Sequence, residues 1–533
     1  MPESSSQTTE SVLKRLEEVA SSEYPFPIPE RIKLEKSQRI NLTSYRNIRP
    51  LLWGVGQSWL NIHCPLLTVV FLGLGGYWSS KTFVALAVIC LGKTLQDPFV
   101  VHFATNGRFG GLGCGGRCKT TGLPNSTARE GFFGNPTNET NTRIKNRLGR
   151  FVHYVPTPYL FSGDLLTMWP FLMFKGSKGG RVAYRRYWVK VPAAPAPDGD
   201  DGPSKKAPKD SSSSNDTGEI DVEAVALDIV FPKEGHQPDK PTFLILHGLN
   251  GGSTEPYVLD LARRATREGH TVAVMINRGL MKTPLRGYES FHGARTSDVG
   301  CAVDALHHAL YGQVPVATAT NSNSTNNSKI VLVGFSMGAI IAANYAAKSK
   351  DCSGLAGALC FSGTLSSAKN LMDCPAGQHS AAVWQPALAW ALKGTIIKPN
   401  MAKFLTRGIT VKDIEEVNSV NDIDTKLVTK YNEYKTVYDF YEDMSAGGSG
   451  DEKGIARLNG TKIPLLAVHA IDDPIVIFEV MLQDEISQTD NVMLLATKHG
   501  GHIGWPTGLF PSKNRWNFMV DIAMEFASEV TAV

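Results

Sequence analysis

The chain has 533 residues, 42% hydrophobic and 20% charged, with a formal net charge of +4. That suits a globular core with extra segments. The near-balanced charge, without a long Lys/Arg block, argues against a nucleic-acid surface. Eight cysteines are too few for a disulfide scaffold, and the one close pair, Cys114 and Cys118, has no second pair at zinc spacing, which argues against a metal site.

Residues 1–64 form a polar N-terminal region that lacks the early apolar core of a cleaved signal peptide. Residues 65–92, PLLTVVFLGLGGYWSSKTFVALAVICLG, exceed the roughly 20 residues a bilayer span needs. Ser79, Ser80 and Lys81 interrupt this run. It therefore reads as a tilted transmembrane span, a re-entrant pair of short pieces, or a buried helical hairpin, with membrane attachment the expectation. Residues 93–175 read as an irregular connecting region. Residues 192–219 are low-complexity and read as a disordered insertion, and 316–329 as a second polar insertion.

From about residue 221 the pattern changes. TFLILHG (242–248), TVAVMINRG (271–279), KIVLVGFS (329–336), LAGALCFSG (355–363), IPLLAVHAIDD (463–473) and NVMLLATKHGGH (491–502) are near-continuous apolar runs. Such runs fit strands buried on both faces of a parallel sheet. Helical patterns alternate with them. Pro256 suits a first helical position ahead of Tyr257, Val258, Leu261 and Ala265, and a last helix carries Trp516, Met519, Val520, Ala523 and Phe526 on one face. The expected fold is α/β, a mostly parallel doubly wound sheet over residues 176–533. Residues 364–450 interrupt the alternation and read as a helical lid or cap insertion.

Gly334-Phe335-Ser336-Met337-Gly338 fits the nucleophile elbow G-x-S-x-G at a strand-to-helix turn. Its glycines, with Ala339, Ala342 and Ala343 after them, let a strained turn and its helix pack close to the sheet. A serine hydroxyl needs a base, and the base needs an orienting acid lying between the two in the chain. AVHAIDDP ends one strand with Asp472 and Asp473, and TKHGGHIGW ends the next with His499 and His502. His502 is the favoured base because Gly500 and Gly501 let its loop turn inward, whereas His499 reads as a solvated loop residue. Asp473 is the favoured acid, with Asp472 the alternative. The backbone N–H groups of Met337 and Leu249 are the candidate oxyanion donors, and His247 reads as structural.

HGLNGGS, NRG, TPLRGY, GFSMGA, DDP and GGHIGW occur in that order, and the likeness covers most of residues 151–533, including NSVNDIDTKLVTKYNEYKTVYDFYEDMSA ahead of the acid strand. Together they resemble the AB hydrolase 4 family of α/β hydrolases. That family includes membrane-anchored lipid esterases, yeast medium-chain ester synthases and a group of bacterial esterases. The resemblance implies an α/β-hydrolase fold with Ser336 as nucleophile, Asp473 as acid and His502 as base. It implies structural roles for Arg278, Thr283 and Pro284, and a capping role for Asp298. The chain departs from the family in its longer N-terminal region, its two polar insertions and its TPLRGYESFHGARTSD loop.

The expected function is that of a serine ester hydrolase acting on a lipid ester, phospholipid or acylglycerol, with no metal or organic cofactor. The partners expected are that substrate and a membrane; the expected location is the endoplasmic-reticulum membrane, with a plastid or other membrane the alternative. Two alternatives stand beside it: an acyltransferase or ester synthase that uses an alcohol acceptor, and a catalytically silent membrane-bound binding protein.

Overall fold

The computed structural model describes residues 3–28, 128–160, 162–174, 182–192, 222–286, 292–313, 328–349, 352, 354–368, 375–406 and 408–532. The apolar run 65–92, Cys114, Cys118 and nearly all of the two polar insertions lie outside the described residues. Among the described residues no helix is long and apolar enough to cross a membrane, and no three His, Cys, Asp or Glu side chains cluster as metal ligands.

Ten strands form one sheet in the order β1-β3-β4-β6-β5-β7-β8-β9-β10-β2. The six apolar runs supply its parallel centre: β5 (Thr242–Leu246), β6 (Val272–Ile276), β7 (Ile330–Phe335), β8 (Gly357–Phe361), β9 (Leu465–Ala470) and β10 (Val492–Thr497). Every residue of these six is buried, as strands covered on both faces must be. Two hydrophobic cores lie on the two faces. Helices α4 (Pro256–Arg267) and α7 (Asn517–Thr531) supply Val258, Leu261, Met519 and Phe526 to one. Helices α5 (Ser297–Tyr311) and α6 (Met337–Lys348) supply Val299, Val303, Ala342 and Ala346 to the other. Chain order reverses at β5, which has β6 on one side and β7 on the other. The crevice at the carboxyl ends of strands beside such a switch point is where open α/β sheets build their sites.

Three segments outside the apolar pattern extend the sheet. Strands β3 (Arg185–Pro192) and β4 (Val222–Val230) pair antiparallel from Arg185↔Ile229 to Pro192↔Val222, so the low-complexity insertion connects two strands of a hairpin. In the N-terminal region, helix α1 (Glu3–Val19) buries Val12 and Leu16 on the α5 side of the sheet, and β1 (Ala20–Ser21) pairs with β3. The region read as irregular contributes β2 (Gly131–Phe133) against β10, and helices α2 (Glu139–Leu148) and α3 (Gly163–Met173). The reason is physical. Helix α2 buries only Ile144, Leu148 and Asn141, too few apolar positions to make a period, and it is held by tertiary contact with α7, as in the hydrogen bond from Arg143 Nη2 to the Glu529 carbonyl.

Between β8 and β9 the chain forms short helices from Pro375 to Asn459. Three of them start with reciprocal capping boxes, Thr410 with Asp413, Ser419 with Asp422 and Thr436 with Asp439.

Candidate active site

Ser336 stands between the end of β7 and the start of α6 with φ 52° and ψ −117°, a backbone conformation rarely adopted by a side chain with a Cβ. Its N–H donates to the Phe361 carbonyl at 2.9 Å, which ties the turn to β8. A Cβ on Gly338 would collide with the carbonyl oxygens of Leu246 and His247, and one on Gly334 with the backbone of Gly338 and Ala339. The two glycines thus let the first turn of α6 sit directly on the ends of β5 and β7. The Ser336 side chain is left partly exposed at the crevice.

His502 and Asp473 meet this serine. Ser336 Oγ lies 2.8 Å from His502 Nε2, and His502 Nδ1 lies 2.8 Å from Asp473 Oδ2. The Asp473 carboxyl is fully buried, which by itself raises its pKa. The adjacent His502 outweighs burial by charge and hydrogen bond, and the group is held below the ordinary aspartate range. Asp473 Oδ1 also accepts the N–H groups of Ile475 and Val476, each at 2.9 Å. An ionised Asp473 accepts from Nδ1–H, which leaves the Nε2 lone pair facing the serine hydroxyl.

Asp472 does different work. Its Oδ1 accepts Gly501 N–H at 2.9 Å, and its Oδ2 pairs with His499 Nδ1 at 3.0 Å. His499 is thus a mostly buried partner of Asp472, with a side chain 19% exposed, and not the solvated loop residue expected. The correction has a simple cause: the imidazole folds back on a carboxylate one strand away. Gly501, at φ 62°, has no room for a Cβ, which would press on Thr167 and the Gly163 carbonyl.

Leu249 and Met337 lie beside the same crevice. Neither backbone N–H has a hydrogen-bond acceptor among the described residues. The loop that carries Leu249 is drawn in at Gly248, whose N–H donates to the Tyr257 hydroxyl at 3.0 Å. A Cβ on Gly248 would stand 3.4 Å from the Ser336 Cβ. His247 is structural: its Nδ1 lies 2.8 Å from the Gly248 carbonyl, and burial lowers its pKa to about 4. Arg278 is fully buried and forms a two-point pair with Asp298, with Nε donating to Oδ2 at 2.8 Å.

Sequence reasoning missed three supports of His502. Thr167 Oγ1 on α3 accepts the His502 N–H at 2.8 Å, and Ser362 Oγ accepts the Ile503 N–H at 3.0 Å. His469, on β9, donates Nε2–H to the Val476 carbonyl at 2.9 Å, and burial keeps this ring neutral beside Asp473. Only His469 had a local signal, in VHAIDDP. Thr167 comes from a segment with no strong periodicity.

Residues 241–400 match the alpha/beta hydrolase fold family. With the switch-point sheet and the elbow already in place, this settles the fold.

The fold is that of the α/β hydrolases.

Curated relatives of this chain include a monoacylglycerol lipase of Saccharomyces cerevisiae, 28% identical over 283 residues that cover 51% of this chain and 57% of the relative. The human phospholipase ABHD3 is 25% identical over 280 residues, 52% of this chain and 61% of the relative. An abhydrolase domain-containing protein of Dictyostelium discoideum is 27% identical over 294 residues, 54% of this chain and 67% of that one. The similarity thus spans about three fifths of the first two relatives. The mix of lipase and phospholipase is what resemblance to the AB hydrolase 4 family implies.

Proposed function

We propose that this protein is a serine ester hydrolase acting on lipid esters. The observation that carries the reading is the unbroken line from Ser336 through His502 to Asp473, with 2.8 Å at each step, seated on a positive-φ elbow. Ser336 Oγ attacks the ester carbonyl while His502 Nε2 takes its proton. The imidazolium is stabilised by Asp473, which stays ionised. The tetrahedral oxyanion is held by the N–H groups of Met337 and Leu249. His502 then gives the proton to the leaving alcohol, and water activated by the same base releases the acid.

The lipid character of the substrate is supported by relatives whose names are lipase and phospholipase, and by an apolar cavity that opens at Leu249 and Met337. In this reading the helices between β8 and β9 form the lid over that cavity. The apolar run 65–92 attaches the domain to a membrane, with the endoplasmic reticulum the proposed site.

The test is hydrolysis of a panel of phospholipids, acylglycerols and short acyl esters by the full chain and by Ser336→Ala. Turnover of one lipid class that vanishes in the variant is the expected result. Equal turnover by both proteins, or failure of a fluorophosphonate probe to label Ser336, would overturn it.

A further inference from the structure

The chemistry above leaves unused an acid that lines a cavity beside the nucleophile. Between the Leu249 loop, the start of α6 at Met337 and the helices that follow β8 lies a cavity open at its mouth. Its wall is apolar, formed by residues such as Leu392, Ile396, Phe404, Val428 and Phe440. Asp424 and His292 are the polar exceptions. Asp424 opens a π-helical turn, Asp424–Val428, a distortion that costs helix stability and recurs at functional sites. The Tyr441 hydroxyl donates to Asp424 Oδ2 at 3.0 Å and in turn accepts from Asn421 Nδ2 at 3.0 Å. Among the described residues Asp424 has no ion-pair partner. A carboxyl in an apolar wall is costly unless something matches it.

We propose that Asp424 determines specificity by accepting, in this cavity, an arm of the ester that is apolar along its length and carries a free hydroxyl. The inference rests on the ester-hydrolase reading and names the chemistry of the substrate arm. Tyr441 occupies one carboxyl oxygen and leaves hydrogen-bonding capacity for a guest. Burial pushes the group up to about 7, so near neutrality it has a large neutral fraction. A neutral carboxyl both donates and accepts, and a hydroxyl can meet it in either protonation state. A cationic guest would need the fully charged form that burial opposes. A plain alkyl arm would strip water from the carboxyl and return no hydrogen bond, which is the arrangement that discriminates most strongly between substrates.

The experiment measures equilibrium binding to the full chain carrying Ser336→Ala, so that it reads the cavity without turnover. The ligands are octyl acetate against its ω-hydroxy counterpart, and ethyl octanoate against its ω-hydroxy counterpart, which present the hydroxyl on either arm. The expected result is that in one pair the hydroxy ester binds about tenfold tighter. Adding Asp424→Leu should abolish or reverse that preference, and adding Asp424→Asn should retain it. Equal affinities in both pairs, or a preference that survives Asp424→Leu, would overturn the proposal. So would tighter binding of an ω-trimethylammonium ester that is lost in both Asp424 variants. Fluorophosphonate labelling of Ser336 in the single Asp424 variants shows that each has folded. Absent labelling in the unsubstituted chain would sink the hydrolase reading while the binding comparison still tests the cavity.

Discussion

Asp472 and Asp473 adjoin in sequence and differ in what they hold. Asp473 faces Nδ1 of the imidazole that touches Ser336, whereas Asp472 binds the loop through Gly501 N–H and His499. Ser336→Ala is expected to lower kcat by on the order of 10⁵ to 10⁶. Asp473→Asn should lower it by about 10⁴ at nearly unchanged KM, because the amide favours the wrong imidazole tautomer. Asp472→Asn should lose far less. Side-by-side kinetics on one ester check the ranking, and equal losses would reverse it. Asp424 supplies a test by pH. Its folded pKa lies near 7, above the unfolded aspartate value, so keeping it charged destabilises the fold. The proton-bound form is favoured in the folded state, so this stabilising contribution is fully present below the unfolded pKa of about 3.9 and lost as pH rises through about 7. Tyr441 and His292 are the titratable neighbours, and Tyr441 is held neutral by burial. Asp424→Asn should therefore melt higher than the unsubstituted protein above pH 7, with the gap shrinking toward zero as pH falls to about 4.

At the scale of elements, the site depends on helices from opposite ends of the legibility range. Helix α6 was readable because Gly338, Ala339, Ala342 and Ala343 record its close approach to the sheet. Helix α3 was not, although its Ser162 cap and Thr167 are both buried and Thr167 holds the His502 backbone. Nothing in GDLLTMWPFLM says that one hydroxyl will face a loop more than 300 residues later in the chain. Thr167→Val removes that acceptor at constant shape and leaves the His502 N–H buried and unpaired, at a cost of about 1–3 kcal/mol. The expected outcome is a melting temperature lower by a few degrees. The rate of Ser336 labelling by a fluorophosphonate should fall about tenfold with it, as the imidazole loses its position. An unchanged labelling rate would mean that Thr167 only supports the fold. The capping boxes in TVKD, SVND and TVYD show the reverse case, a local signal that states where short helices start and nothing about the cavity they enclose.

Over the whole molecule, the two ends of the described chain brace one sheet. Arg278 at the end of β6 spans Asp298 on α5 and the Pro192 carbonyl at the end of β3. Removing the Asp298 charge would break the two-point pair that holds the buried guanidinium. Asp298→Asn is thus expected to cost about 3–5 kcal/mol, read as a lower denaturation midpoint with an unchanged slope. The N-terminal helix α1 covers part of the α5 face, with Arg15 Nε donating to the Ala309 carbonyl at 2.8 Å, and β1 caps the exposed edge of β3. Deleting residues 1–28 would uncover Val12 and Leu16 contacts and open that edge. The truncated protein should melt lower and aggregate on heating, as light scattering would record.

Six buried strands, a serine elbow at the end of one of them and the chain order of Ser336, Asp473 and His502 were legible in the sequence. Strands buried on both faces must be apolar throughout, and an elbow between strand and helix tolerates little beyond glycine beside its serine. The edge strands β1 and β2, the β3–β4 hairpin, helices α2 and α3, the Asp472–His499 pair and the siting of Asp424 were decided by tertiary structure. Strands β1 and β2 and helix α2 carry little apolar pattern of their own, helix α3 is apolar without a clear period, and the strand pairings and side-chain pairs depend on surfaces and partners supplied from elsewhere in the chain.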